Sequence, residues 1–340
     1  MKPILAEIAA FIIAAAVAAT IAPLVIRLAT HLEIIDGVEE ERRVHTTPTP
    51  RIGGVAVFFG FATALFAVLG FVVGSPHARA AQLDIAHHLI GLLFGSLLIL
   101  GVGLWDDVMQ MRARSKLIAQ IIVAGISMLY GFTISGINNP FAHGAANAWI
   151  DFPIWVSIPL TLLWYVGMMN AMNFIDGLDG LLAGVTTISS LFLFAIAALH
   201  GNFIVALVLL ALAGGALGFL PYNFNPARIF LGDAGSLFIG YVFATVTIIG
   251  GSKTAIAISL LVPLVVLALP ILDTAAVIVR RAANGRSITD ADRGHFHHQL
   301  IFRFGLGVRQ AVFLIYAVCI VLGVVALLVS GIISHSGRLV

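Results

Sequence analysis

The sequence predicts an all-α integral membrane protein, one polytopic membrane domain over residues 1–340 with about ten transmembrane helices. Three observations carry that reading. The chain is 60% hydrophobic and only 10% charged, with mean hydropathy +1.08, whereas soluble domains hold about 25% charged residues. Its uncharged apolar runs are each near the ~20 residues that a helix needs to cross the hydrocarbon core. None of the runs alternates apolar and polar residues at period two, which excludes a β-barrel, the other way of spanning a bilayer. Disorder is excluded by the hydrophobicity. The net charge of +2 gives no case for nucleic acid. Cys319, the sole cysteine, rules out an internal disulfide and reads as a buried packing residue.

In chain order the runs lie at 8–26, 53–74, 89–105, 117–132, 152–175, 181–199, 203–222, 234–251, 255–272 and 311–333. The first is too long for a typical signal-peptide core and keeps Arg27 at its inner end, so it reads as a retained helix. The run at 117–132 is the shortest. Such a bundle leaves five loops on one side, at 31–52, 106–116, 176–180, 223–233 and 280–310. With Arg27, these loops hold every Lys and Arg except Lys2, Arg79, Lys253 and Arg338. The positive-inside rule therefore places the five loops in the cytoplasm and both termini outside. Among the acids only Glu7, Asp84 and Asp151 fall on the outer side. The outer connections are short apart from 133–151, where Asn138-Asn139-Pro140 reads as a turn.

Chemistry-bearing residues cluster in the inner loops. Asp106-Asp107 follows Trp105 at the inner end of the third run. Adjacent carboxylates repel, so the pair suits Mg²⁺ binding or a general base; a solvated helix end beside Arg112 and Arg114 is the plain alternative. At the end of the fifth run, Asn170, Asn173, Asp176 and Asp179 recur every third residue. Three residues turn a helix about 300°, so Asn170, Asn173 and Asp176 share one face. Gly177 and Gly180 let the backbone break or approach a ligand. Amides and carboxylates at membrane depth are expensive and usually functional, although a polar helix–helix contact is the simpler reading. Further on, Asn223-Phe-Asn225-Pro226-Ala-Arg228-Ile-Phe230-Leu-Gly232-Asp233-Ala-Gly235-Ser236 places Asp233 where a helix begins. It suits an N-cap with Ser236 three residues later, or a metal ligand at a helix N-terminus; Phe230 suits packing or a plate for a base.

The last inner loop holds His295, His297 and His298 among Arg280, Arg281, Arg286, Arg293 and Arg303. Zinc usually takes a fourth ligand and would be repelled by the arginines, so the loop suits a polyanion such as a pyrophosphate. A basic loop resting on anionic lipid explains the arginines but not the histidines. The first loop offers His45, Pro48, Pro50, Arg51 and Gly53-Gly54, equally a simple turn or a binding segment. Brought together, carboxylates for Mg²⁺ and arginines for phosphate describe phosphoryl transfer, and a lipid acceptor would explain the many helices. A transporter is the rival class. Transporters usually place ionisable residues near the midplane between repeated halves, whereas these acids sit at the inner ends and no halves repeat.

The four motifs, in this order, resemble the polyprenyl-phosphate N-acetylhexosamine-1-phosphate transferase superfamily, glycosyltransferase family 4, from about His45 to His298. The resemblance implies an enzyme of the bacterial cytoplasmic membrane. It would pass a sugar-1-phosphate from a UDP-sugar donor to undecaprenyl phosphate or a similar lipid, releasing UMP, with Mg²⁺ required and Mn²⁺ as a substitute ion. It implies Asn173 and Asp233 as metal ligands and Asp106, Asp107, Asp176 and His297 as catalytic, one of the Asp pair deprotonating the lipid phosphate. Asp179, Asn223, Phe230, His295, His298 and Arg293 would bind substrate, with Phe230 stacking on uracil and Asp176 also near the nucleotide. The partners implied are donor, lipid acceptor and membrane lipids, with a homodimer as the assembly and no nucleic acid. The muramoyl-pentapeptide branch shows three consecutive His in the last loop and a Lys in the first. Here the cluster is His-Phe-His-His, with His45 and Arg51 in the first loop, so the sequence resembles the UDP-GlcNAc branch that starts lipopolysaccharide and cell-wall polymers.

Overall fold

Alanine spacing decides how the first helix packs. In α1 (Pro3–His31), Ala6, Ala10, Ala14, Ala18, Ala22 and Ala29 are buried, while Ile8, Ile12, Leu24 and Leu28 are exposed. In a membrane large aliphatic side chains face lipid without penalty, and small ones let helix backbones approach. The computed structural model describes residues 3–36, 49–73, 79–138, 149–250, 272, 300–301 and 304–336. After α1 come β1 (Ile35–Asp36), β2 (Thr49–Pro50), α2 (Gly54–Val73), α3 (Arg79–Met109), α4 (Ala113–Leu129), β3 (Gly136–Asn138) and β4 (Trp149–Asp151). The remainder is α5 (Ile154–Ile175), α6 (Leu181–Leu199), α7 (Phe203–Asn223), α8 (Gly232–Gly250) and α9 (Val308–Ser336).

Among the described residues, 7 helices are long and apolar enough to cross a membrane, and Gly54–Gly70 is a shorter apolar helix. The chain is thus an all-α integral membrane protein. The run expected at 255–272 lies outside the described residues except for Leu272. Two departures from expectation have plain causes. α3 starts at Arg79 and ends at Met109, well beyond the run 89–105, because Ala80, Ala81, Gln82 and Leu83 favour helix and no proline interrupts them. Asp106 and Asp107 are therefore the last turn of a helix and not the start of a loop. Two short antiparallel ribbons also appear: Ile35 pairs with Pro50, and Gly136, Ile137 and Asn138 pair with Asp151, Ile150 and Trp149.

α7 is packed by α1, α2 and α6, and α8 by α2, α3 and α5; α9 lies against α6. Close approach of α1 and α7 rests on two glycines four residues apart. A Cβ at Gly214 would lie 2.2 Å from the Phe11 carbonyl oxygen, and one at Gly218 2.2 Å from that of Ala15. Interhelical hydrogen bonds fix α8 against α4 and α5. The Ser127 and Tyr241 hydroxyls meet at 2.8 Å, Tyr165 and Thr245 at 3.0 Å, and Trp164 Nε1 donates to Thr247 at 2.9 Å. Buried hydroxyls and indole N–H groups need such partners where no water reaches them.

Candidate active site

A helix start leaves N–H groups without intrahelical partners. At the start of α8, two of them are taken by a carboxylate from another helix. Asp107 Oδ1 accepts from the Asp233 N–H at 2.9 Å, and Oδ2 from the Ala234 N–H at 3.0 Å. The positive end of the α8 dipole adds to the attraction. Arg51 Nε stands 3.5 Å from the same Oδ1. Gly232 has φ +71, and a Cβ there would fall 1.8 Å from the Arg51 carbonyl oxygen, so the turn requires glycine. The N-cap role considered for Asp233 is thereby filled by Asp107, and Asp233 lies in the first helical turn with its side chain released for other work.

That side chain faces a cation. Lys116, in the first turn of α4, places Nζ 2.8 Å from Asp106 Oδ2 and also against Asp233 Oδ2. Asn173, near the end of α5, donates through Nδ2 to Asp233 Oδ1 and to Ser236 Oγ, the latter at 2.8 Å. Asp106 is fixed from its other oxygen by the Met111 N–H at 2.6 Å. Ends of α3 and α5 and starts of α4 and α8 thus meet around two carboxylates, an amide and an ammonium.

The neighbouring segments are stitched to this centre by backbone. Phe230 N–H donates to the Pro50 carbonyl, Gly53 N–H to Phe230 and Gly54 N–H to Leu231, each at 2.8 Å. The first and fourth inner loops expected from sequence are therefore one bonded unit. The third joins them through Asn223, whose Oδ1 accepts from Gly180 N–H at 3.1 Å and whose Nδ2 donates to the Ile229 carbonyl at 3.0 Å. Asp179 Oδ2 takes Asn225 Nδ2 at 2.9 Å and the Ala227 N–H at 3.0 Å. Asn223 and Asp179 are both buried. From the far side Arg309 Nε donates to the Asn225 carbonyl at 3.0 Å, and the Tyr316 hydroxyl donates to that of Gly180.

Of the residues singled out in sequence, Asp106, Asp107, Asn173 and Asp233 come together directly. Asp176 is the C-cap of α5. Loss of hydration, reinforced by the charges of Asp233, Asp107 and Asp179, pushes its carboxyl well above the usual range. Asn170 turns instead to Gln120 and to the Val166 carbonyl, both at 2.8 Å, which is the polar helix contact. Phe230 is half-buried beside the stitched loops. His45, Arg293, His295, His297 and His298 lie outside the described residues. Sequence reasoning passed over Lys116. Its one signal is a third basic residue after Arg112 and Arg114, which reads equally as topogenic charge.

Oxygen donors around a captured ammonium are the chemistry of a hard divalent ion. Among the described residues no three His, Cys, Asp or Glu side chains are grouped so that together they could hold a metal ion. Mg²⁺ suits an open set, because it is usually held by one or two carboxylates together with water and substrate phosphate. Asp233 with Asn173 bonded to it, and Asp106 bordering the same position, fit it.

Fold and site together define a membrane-embedded protein with a carboxylate-lined cation position where the helix ends meet. Residues 89–251 match the description Glycosyl transferase family 4. A probable undecaprenyl-phosphate N-acetylglucosaminyl 1-phosphate transferase of Bacillus subtilis is 34% identical over 321 residues, 94% of this chain and 84% of that protein. The decaprenyl-phosphate N-acetylglucosaminephosphotransferase of Mycobacterium tuberculosis is 36% identical over 295 residues, 81% of this chain and 71% of that protein. The phospho-N-acetylmuramoyl-pentapeptide-transferase of Clostridium perfringens is 29% identical over 309 residues, 85% of this chain and 89% of that protein. The chain belongs to glycosyl transferase family 4.

Proposed function

We propose that this chain transfers N-acetylglucosamine-1-phosphate from UDP-GlcNAc to a polyprenyl phosphate such as undecaprenyl phosphate, giving polyprenyl-diphosphate-GlcNAc and UMP. The step would open a cell-envelope polysaccharide, at the cytoplasmic face of a bacterial inner membrane. The observation that carries the reading is Asp233, fixed at the start of α8 by Asp107 and turned towards a cation position shared with Asp106. Support for the sugar comes from two GlcNAc-named relatives at 34% and 36% identity, against 29% for the muramoyl-pentapeptide relative.

In the proposed reaction a lipid phosphate oxygen attacks the β-phosphorus of UDP-GlcNAc, and the bond to UMP breaks. Mg²⁺, when bound, supplies charge neutralisation for crowded phosphates. Asp233 and Asn173 hold the ion's place. Asp106, whose Oδ2 borders that place, orients the acceptor phosphate and takes its proton. Asp107 has both oxygens committed to α8, so its part is to keep Asp233 aimed. Asp179 and Asn223 shape the loop that receives the nucleotide, with Phe230 as the plate for uracil and Asp176 between nucleotide and ion. Arg293, His295, His297 and His298 are assigned to the pyrophosphate and sugar.

The test follows UMP release from UDP-GlcNAc, UDP-GalNAc and UDP-MurNAc-pentapeptide. It uses protein purified in detergent with undecaprenyl phosphate and Mg²⁺, and Asp233→Ala as control. Release with UDP-GlcNAc alone, lost in the variant, is expected. Release only with the pentapeptide donor would keep the chemistry and overturn the sugar. Release with none of the three would return the transporter reading.

A further inference from the structure

We infer that Lys116 is a tethered counter-cation that occupies the divalent-ion position when no ion is bound, and that metal entry must displace it. The inference deepens the proposed function and rests on its metal site. Lys116 Nζ contacts Asp106 Oδ2 at 2.8 Å and Asp233 Oδ2 at the same time. Those carboxylate oxygens come from different helices, α3 and α8, and Asp107 contributes a further negative charge through the α8 turn. With no cation between them, carboxylates this close and largely buried would repel each other strongly. A lysine removes that repulsion with its own charge, on a four-carbon stem flexible enough to leave.

An ammonium and a divalent ion cannot share one gap. The ion must break the Asp106 and Asp233 contacts of Lys116 before it forms its own. The cost of that exchange sets the metal affinity below what the carboxylates alone would give. Among the described residues, Arg51 also approaches the cluster, with Nε 3.5 Å from Asp107 Oδ1.

The test measures Mn²⁺ binding by electron paramagnetic resonance on detergent-purified protein, without any substrate. Lys116→Met keeps the length of the stem and removes the charge. It should bind Mn²⁺ roughly ten-fold more tightly than the parent protein. Lys116→Arg should bind no more tightly than the parent. Equal or weaker binding by Lys116→Met would overturn the inference. Asp233→Ala serves as the separate control for the metal site itself: if it binds Mn²⁺ as the parent does, the site is misplaced, and the competition fails with it. Should Lys116→Met not fold, amine labelling of the parent protein decides. Mg²⁺ should raise the modification of Lys116 several-fold over protein in chelator, and no change would overturn the displacement. Loss of transferase activity with intact competition would instead sink only the functional reading.

Discussion

Asp107 holds the Asp233 and Ala234 N–H groups at 2.9 and 3.0 Å, so the end of α3 caps the start of α8. The two halves of the conspicuous acid pair consequently differ in kind. Asp106 borders the cation position, while both oxygens of Asp107 are taken by the start of α8, which under the proposed function makes Asp107 a positioning residue acting through Asp233. Asp107→Asn should therefore lose stability by about 1–2 kcal/mol, the usual worth of a helix cap, because its amide nitrogen would face an N–H group. Mn²⁺ affinity should fall with it, as Asp233 loses its aim. Thermal unfolding in detergent and metal titration would read both. Loss of activity with unchanged stability and unchanged metal affinity would make Asp107 a direct participant in chemistry.

Asn223 joins the third and fourth inner loops through one amide. Asn223→Ala strands the Gly180 N–H and the Ile229 carbonyl, at a cost of about 1–3 kcal/mol for buried groups left without partners. Because those loops receive the nucleotide in the proposed reaction, KM for UDP-GlcNAc should rise more than kcat falls. Steady-state kinetics at saturating lipid would show the split. A fall in kcat alone would place Asn223 at the reacting atoms.

How much of this was legible in the sequence depends on the distance over which each interaction acts. The spans could be read because hydrophobicity and length are local. Asn170, Asn173 and Asp176 stand out in sequence as polar residues at the end of an apolar run, but a 60° drift per step separates their fates. Asn170 turns into a helix contact, Asn173 reaches Asp233, and Asp176 closes the helix. The Asp107 cap was hidden because its partner lies 126 residues away. Lys116 was hidden for a similar reason, since nothing in its own segment distinguishes it from Arg112 and Arg114. Only the approach of Asp106 and Asp233 from other helices selects it.

Helix packing offers a prediction away from the site. A side chain at Gly214 would drive into the Phe11 carbonyl, which belongs to backbone and cannot swing aside. Gly214→Val should destabilise the protein by about 1–3 kcal/mol, the range for overpacking a close contact. The midpoint of thermal unfolding in detergent should fall accordingly. An unchanged midpoint would show that α1 and α7 can separate at little cost.

Asp176 gives a pH dependence whose sign can be worked out. Its carboxyl titrates near about 4 in the unfolded chain and well above that in the folded, metal-free protein. Between those limits the folded state binds more protons than the unfolded one. Its contribution is fully present below the unfolded value and is lost as pH rises through the folded value. A divalent ion beside Asp233 adds positive charge and offsets the loss. Stabilisation by Mg²⁺ over chelator should accordingly grow as pH rises above the ordinary carboxylate range and through the raised value of Asp176. Asp176→Asn should weaken that trend. A Mg²⁺ effect that shrinks with rising pH would contradict the placement of Asp176 beside the cluster.

The bond arithmetic of the proposed reaction predicts its direction. The donor's phosphoanhydride breaks and the product's phosphoanhydride forms, so little free energy separates the two sides. Excess UMP should then regenerate UDP-GlcNAc from polyprenyl-diphosphate-GlcNAc in the presence of Mg²⁺, as chromatography of labelled sugar would show. Asp106 adds a mechanistic arm, because a carboxylate at the cation position could attack phosphorus itself and form an aspartyl intermediate. Its Oδ1 is tied to the Met111 N–H, and its Oδ2 faces the position that Lys116 holds and a bound ion would take, an arrangement that orients the group towards ion or phosphate more than it frees it as a nucleophile. Direct displacement is therefore expected, with no UMP released from UDP-GlcNAc until the lipid acceptor is added. A burst of UMP stoichiometric with enzyme, in the absence of lipid and lost in Asp106→Asn, would favour the two-step route instead.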